Sequence, residues 1–130
     1  MFYAGDVPHA WLFPRMAAVV HHGGAGTTGA GLRAGVPSIL TPFAGDQVAW
    51  AEQVAKLRVG PAAGLSKRLT AEKLAAAIAA AVGDAGMRAR AAALGEKIRA
   101  ENGVANAVAL IERHAQMFSQ GRLEKAPAAN

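Results

Sequence analysis

The segment Val20-His21-His22-Gly23-Gly24-Ala25-Gly26-Thr27-Thr28 carries the residue types best suited to holding phosphate. A glycine-rich loop that follows a buried strand and opens into a helix presents backbone N–H groups with no partner of their own. Glycine lets a ligand come close to the backbone, and the helix dipole adds partial positive charge at the same end. The amides around Gly24 and Gly26, the hydroxyls of Thr27 and Thr28 and a flanking histidine would together make a pyrophosphate cradle. A second constellation, Pro42-Phe43-Ala44-Gly45-Asp46-Gln47, ends a strand in proline, turns at glycine and begins a helix with an acid and an amide. Asp46 accepts hydrogen bonds, and Gln47 both donates and accepts, which suits several sugar hydroxyls at once. The plainer reading of Asp46 is a helix cap.

Other chemistries fit less well. Gly24-Ala25-Gly26-Thr27-Thr28-Gly29 spells G-x-G-x-x-G, yet no acidic residue follows about 20 positions later at a strand end to hold a ribose. No Gly-Lys-Ser/Thr is present, so a Walker loop is excluded. His21-His22 makes a poor metal site, because neighbours on a strand point to opposite faces and no carboxylate stands at ligand spacing. No metal and no cofactor are therefore expected. His21 reads as a strand-end residue, Trp11 and Trp50 as packing anchors, and His114 as a surface residue late on a helix.

The elements that must position these residues alternate. Ala17–Val20 reads as a buried strand, Thr27–Ala34 as a short helix closed by Gly35, and Val36–Leu40 as a second strand. Gln47–Leu57 fits a helix that stops near Gly60-Pro61. Strand, helix, strand, helix implies parallel strands with crossover helices, hence an α/β, Rossmann-like sheet with flanking helices. Two strands make a thin sheet, so Met1–Tyr3 or the segment near Val59 is expected to add strands unless part of the sheet lies outside this chain. The second half reads as helical. Thr70 caps a helix bearing Leu74, Ile78 and Val82; Asp84 caps one bearing Met87, Ala91, Leu94 and Ile98. After the break at Asn102-Gly103, Val104, Val108, Ile111 and Ala115 mark a last amphipathic helix. Residues 1–118 are read as one domain and 119–130 as a flexible tail.

The 130 residues suit a single domain, and 52% hydrophobic content can supply a core. There are no cysteines, which excludes disulfides and thiolate metal sites and fits a cytoplasmic setting. No apolar run is long enough for a membrane span, and the N-terminus lacks the pattern of a signal peptide. The formal net charge of +5 is spread at helical spacing among alanines, which reads as solvated helix faces. A nucleic-acid partner is not expected; peripheral membrane contact and self-association stay open.

In order and spacing, Pro8-His9-Ala10-Trp11-Leu12-Phe13-Pro14, Val20–Thr28, Gly31-Leu32-Arg33-Ala34-Gly35-Val36-Pro37 and Pro42–Gln47 resemble the UDP-glycosyltransferases of the two-domain GT-B fold. The nearest branch is the sterol glucosyltransferases and related bacterial natural-product enzymes, and the resemblance runs from about Asp6 to Ala115. It implies the C-terminal, donor-binding half of such a fold. His22, Gly24, Gly26, Thr27 and Thr28 would then meet the diphosphate, Asp46 and Gln47 the sugar hydroxyls, and Val7 and His9 the base. Where many members carry Glu for the ribose this chain has Ala30, and where many stack the base on Trp it has Asp6.

The activity implied is inverting transfer of a hexose, glucose from UDP-glucose, to a hydroxyl of an apolar acceptor such as a sterol or natural product. The family's general base sits in an N-terminal acceptor domain, so this chain is expected to be inactive without that domain or subunit. The alternative is a non-catalytic nucleotide-sugar-binding subunit of a split transferase, or a truncated gene product. A sugar-nucleotide epimerase shares the fold, but Asp46-Gln47 and Ala34-Gly35-Val36-Pro37 argue against it.

Overall fold

The computed structural model describes residues 3, 5–61, 64 and 66–119. The chain divides into two compact units, Met1–Ala100 and Glu101–Asn130. In the first, a short helix α1 (His9–Leu12) and a single 3-10 turn (Phe13–Arg15) lead into strand β1 (Val19–His21). Helix α2 (Ala25–Ala34), strand β2 (Ser38–Leu40) and helix α3 (Asp46–Lys56) follow. A second 3-10 turn (Ser66–Arg68) precedes helices α4 (Ala71–Gly83) and α5 (Ala85–Ala100).

The strands pair in parallel, with Val19 opposite Ser38 and His21 opposite Leu40. This is the α/β crossover arrangement that alternating elements imply. All three residues of β2 are buried. Ile39 packs on Ala77, Ala81 and Met87, whereas Leu40 packs on Val54, Val59 and Ala91. Successive strand residues face opposite sides, so β2 is covered on both faces, as parallel strands require. On β1, by contrast, Val20 is 46% exposed. Met1 and Phe2 lie outside the described residues. Near Val59 no strand forms, but the Ser38 N–H donates to the Val59 carbonyl at 3.2 Å, one hydrogen bond along the edge of β2.

Helix ends follow their caps. Gly35 closes α2 in the left-handed conformation (φ 75°). The Thr70 side chain accepts from the Lys73 N–H, and Asp84 accepts from the Met87 N–H at 2.9 Å. On α4 the buried residues are Ala77 and Ala81, while Ile78 and Val82 are exposed. Of the stripe of large residues on that helix only Leu74 packs on the Ile39 cluster; the rest of the buried face is made by small alanines, which permit the closest approach to the sheet.

Helices α2 and α5 cross where both carry glycine. A Cβ on Gly95 would lie 2.6 Å from the Gly35 Cα, and one on Gly35 would lie 3.2 Å from the Ala92 Cα. At this crossing the Arg33 guanidinium donates to the Ile98 carbonyl at 3.3 Å, and the Arg99 guanidinium donates to the Arg33 carbonyl. Each arginine supplies a cation to carbonyls at the other helix's C-terminal end, where the dipole is negative.

The second unit contains helix α6 (Gly103–Ser119), entered through Asn102 with a left-handed φ of 48°. Val104, Val108, Leu110, Ile111 and Phe118 are exposed on it. The tail expected from Ser119 onward lies, apart from Ser119 itself, outside the described residues. Among the described residues no helix is long and apolar enough to cross a membrane.

Candidate functional site

Strand β1 ends at His21, three residues form a loop, and α2 begins at Ala25. The loop turns at Gly23, whose φ of +95° lies in the region that favours glycine. Gly24 caps α2 with extended backbone and no side-chain cap. The first helical bond is donated by the Thr28 N–H to the Gly24 carbonyl, so the amides of Ala25, Gly26 and Thr27 precede it. No acidic residue stands in the first turn. The helix entrance therefore keeps its partial positive charge.

Access to this entrance is set by two glycines. A Cβ on Gly24 would lie 2.6 Å from His22 Nε2, so the exposed His22 ring sits directly over the entrance. Around Gly26 a Cβ would meet nothing within 4 Å, so a ligand can reach that backbone. Thr27 is half-buried beside it. Thr28 departs from expectation: it is 0% exposed, and its Oγ1 has no hydrogen-bond partner. Thr28 lies three residues before Gly31, on the α2 face packed against the strands, so its hydroxyl is turned into the protein rather than toward the entrance.

The acid–amide segment comes to the same place. A Cβ on Gly23 would lie 3.2 Å from the Gln47 carbonyl oxygen, which puts the two loops in contact. Gly45 (φ 66°), not Asp46, caps α3, and Asp46 stands exposed at the first helical position. Asp46 is thus free of the capping role that was its plainer reading. Gln47 is less free than expected: its Oε1 accepts the Phe43 N–H at 2.9 Å. Its amide NH2 is left to donate, and the acceptor half of the side chain ties the Pro42–Asp46 turn.

Val7 is half-buried ahead of α1, and His9 is exposed, its ring stacked on Phe13 with centroids 4.4 Å apart. Trp11, expected to anchor packing, is 54% exposed with the Arg15 guanidinium 4.5 Å above its ring.

His21 is held down to about 4 from its ordinary 6.5, chiefly by burial and then by the charges of His22 and His9. His9 thus lies close enough to the loop to oppose charge on His21. Because the folded chain keeps His21 neutral while the unfolded chain protonates it near 6.5, the contribution is fully present above pH 6.5. It is lost as pH falls toward 4. Urea midpoints of the wild type should decline between pH 7 and pH 5, and His21→Asn should flatten that decline. Equal slopes would contradict it.

The model of the erythromycin biosynthesis protein CIII-like, C-terminal domain matches residues 3–112. The chain belongs to that family. This C-terminal domain is similar to sterol 3-beta-glucosyltransferase of Cryptococcus neoformans var. neoformans serotype D (strain JEC21), 49% identical over 87% of this chain and 7% of the relative. The protein of the same name from Saccharomyces cerevisiae (strain YJM789) is 47% identical over 82% of this chain and 9% of the relative. The chain thus spans less than a tenth of the length of either. A crystal structure of the glycotransferase of kitacinnamycin shares the fold, with a TM-score of 0.74 and 33% identity over 83% of this chain and 28% of that one. The domain has the GT-B C-terminal fold of that glycotransferase.

Sequence reasoning missed three features of this domain: α1, the Gln47–Phe43 bond and the hydrogen bond of His21 to the loop. The Gly23 N–H donates to His21 Nδ1 at 3.1 Å. A histidine two residues before a left-handed glycine was the only available signal.

Proposed function

We propose that this domain is the donor-binding part of an inverting glycosyltransferase that moves glucose from UDP-glucose to a hydroxyl of an apolar acceptor such as a sterol. One observation carries the reading: the open, uncompensated N-terminus of α2, with Gly26 bare and His22 over the entrance. The amides of Ala25, Gly26 and Thr27, the His22 ring and Thr27 would meet the charge that develops on the leaving diphosphate. Asp46 and the Gln47 amide, one loop away, would hold sugar hydroxyls, and Val7 and His9 would border the base. The names of the sterol 3-beta-glucosyltransferases support the glucose and sterol assignments.

An acceptor hydroxyl needs a general base. The family resemblance puts that base in an N-terminal domain, so transfer by this chain requires such a domain or subunit. A cytoplasmic location belongs to the same reading. The second reading, a non-catalytic nucleotide-sugar-binding subunit, shares the site and differs in lacking transfer when an acceptor domain is supplied.

Calorimetry with UDP and UDP-glucose tests the site. The wild-type chain should bind both, and His22→Ala should weaken both about tenfold, or about 1.4 kcal/mol. No interaction with UDP at millimolar concentration would remove the reading. Robust glucosyl transfer by the isolated chain would remove the requirement for a partner domain.

A further inference from the structure

The family motif explains one histidine of the pair, His22, and leaves the other unexplained. His21 closes β1 with its carbonyl accepting the Thr41 N–H at 2.9 Å, so its backbone is fixed by β2 and the segment that follows. Its ring runs inward. Nδ1 accepts the Gly23 N–H at 3.1 Å, across a turn that only glycine adopts readily. An accepting Nδ1 bears no hydrogen, so the neutral ring carries its proton on Nε2.

A second observation is independent of that bond. His21 Nε2 and Ser38 Oγ are buried and have no hydrogen-bond partner. Both face the gap left by Gly31: a Cβ there would lie 2.6 Å from Ser38 Oγ and 3.9 Å from His21 Nε2. The missing side chain at residue 31 gives the ring its place between α2 and β2. Leaving a buried N–H without a strong partner is costly. A strand residue whose only task was to fill space would carry no such group. An imidazole accounts for this position through its other nitrogen, which takes up the Gly23 amide of the loop.

We propose that His21 is a positioning residue for the phosphate-facing loop: by accepting the Gly23 N–H through Nδ1, it fixes the Gly23-Gly24 turn so that the amides of residues 25–27 face the ligand. Burial of the ring keeps it uncharged over the physiological range, so the acceptor is always available. The inference rests on the donor-binding reading above.

The test compares two substitutions and two ligands in the full chain. Asparagine places an amide oxygen near the position of Nδ1 and keeps the acceptor; leucine removes it. His21→Leu should bind UDP at least tenfold more weakly while uridine, which lacks phosphates, changes less than twofold. His21→Asn should stay within threefold of wild type for UDP. Long-range nitrogen–proton spectra of the wild type should show His21 as the Nε2–H tautomer. Wild-type affinity for UDP in His21→Leu, equal loss of UDP and uridine, or an Nδ1–H tautomer would each overturn the proposal while leaving the donor site standing. If His21→Leu does not fold, His21→Asn decides: retained UDP affinity supports the role, and lost affinity overturns it. A wild-type chain that ignores UDP sinks the donor-binding reading itself.

Discussion

A Gly26→Glu chain should melt no lower than the wild type and bind UDP at least a hundredfold more weakly. The two effects have opposite causes at one position. A Cβ on Gly26 meets nothing within 4 Å, so the fold has room for the side chain. Within a helix, replacing glycine with a good helix former gains up to about 1 kcal/mol. A carboxylate in the first turn, where none now stands, adds roughly 0.3–1 kcal/mol by meeting the dipole. That same carboxylate takes the place of a diphosphate and repels it. A hundredfold loss corresponds to about 2.7 kcal/mol, which a single charge near an anion supplies at short range in partly desolvated surroundings. Thermal melting and calorimetry on one preparation check both halves. Retained UDP binding in a stable Gly26→Glu chain would show that the ligand does not use this entrance.

The second large effect is on stability and lies away from the site. Gly60→Ala should lower stability by about 3 kcal/mol or more, since a Cβ there would stand 1.8 Å from the Ser38 carbonyl oxygen and 2.7 Å from Val54 Cγ1. The colliding atom is strand backbone, which cannot swing aside as a side-chain tip can. Relief requires the 59–60 segment to move off β2, breaking the bond between the Ser38 N–H and the Val59 carbonyl and the bond between the Val59 N–H and the Val54 carbonyl. For a unit of this size the loss corresponds to a drop in melting temperature of roughly 10–25 °C. Gly29→Ala is the control, because it lies in α2 with nothing near its Cβ and should hold or raise the melting temperature. A Gly60→Ala chain melting within about 3 °C of wild type would show that residue 60 does not press on the strand.

These two glycines show what the sequence could and could not disclose. Gly26 was legible, because a glycine at the opening of a helix after a buried strand has a stated chemical use. The strand–helix–strand–helix order was legible for the same kind of reason: apolar runs of four or five residues, each closed by glycine or proline, leave few other arrangements. Gly60 read only as the stop of a helix, since nothing in the neighbouring letters reports that it touches Ser38, more than twenty positions earlier. Thr28 misled in the opposite way. Its hydroxyl suits phosphate, but helical rotation turns it to the strand side, and the rotation of so short a helix depends on its true first residue, Ala25 rather than Thr27. The α4 stripe held at Leu74 and failed at Ile78 and Val82, because periodicity marks a face without saying whether large or small residues make the closest contact. Gln47 was recognised as polar and well placed, but the turn it closes with Phe43 depends on loop geometry that pattern reasoning does not contain.

The exchange between Arg33 and Arg99 bears on how firmly the ligand end of α2 can be held. Ten residues at 1.5 Å each make a rod about 15 Å long, and its far end is fastened to α5 through guanidinium-to-carbonyl bonds at a glycine crossing. A rod clamped at one end swings least when the clamp has no slack, and at this clamp Gly35 and Gly95 approach too closely to admit a Cβ between them. The fastening uses no carboxylate, and therefore mild acid does not loosen it as it would an ion pair.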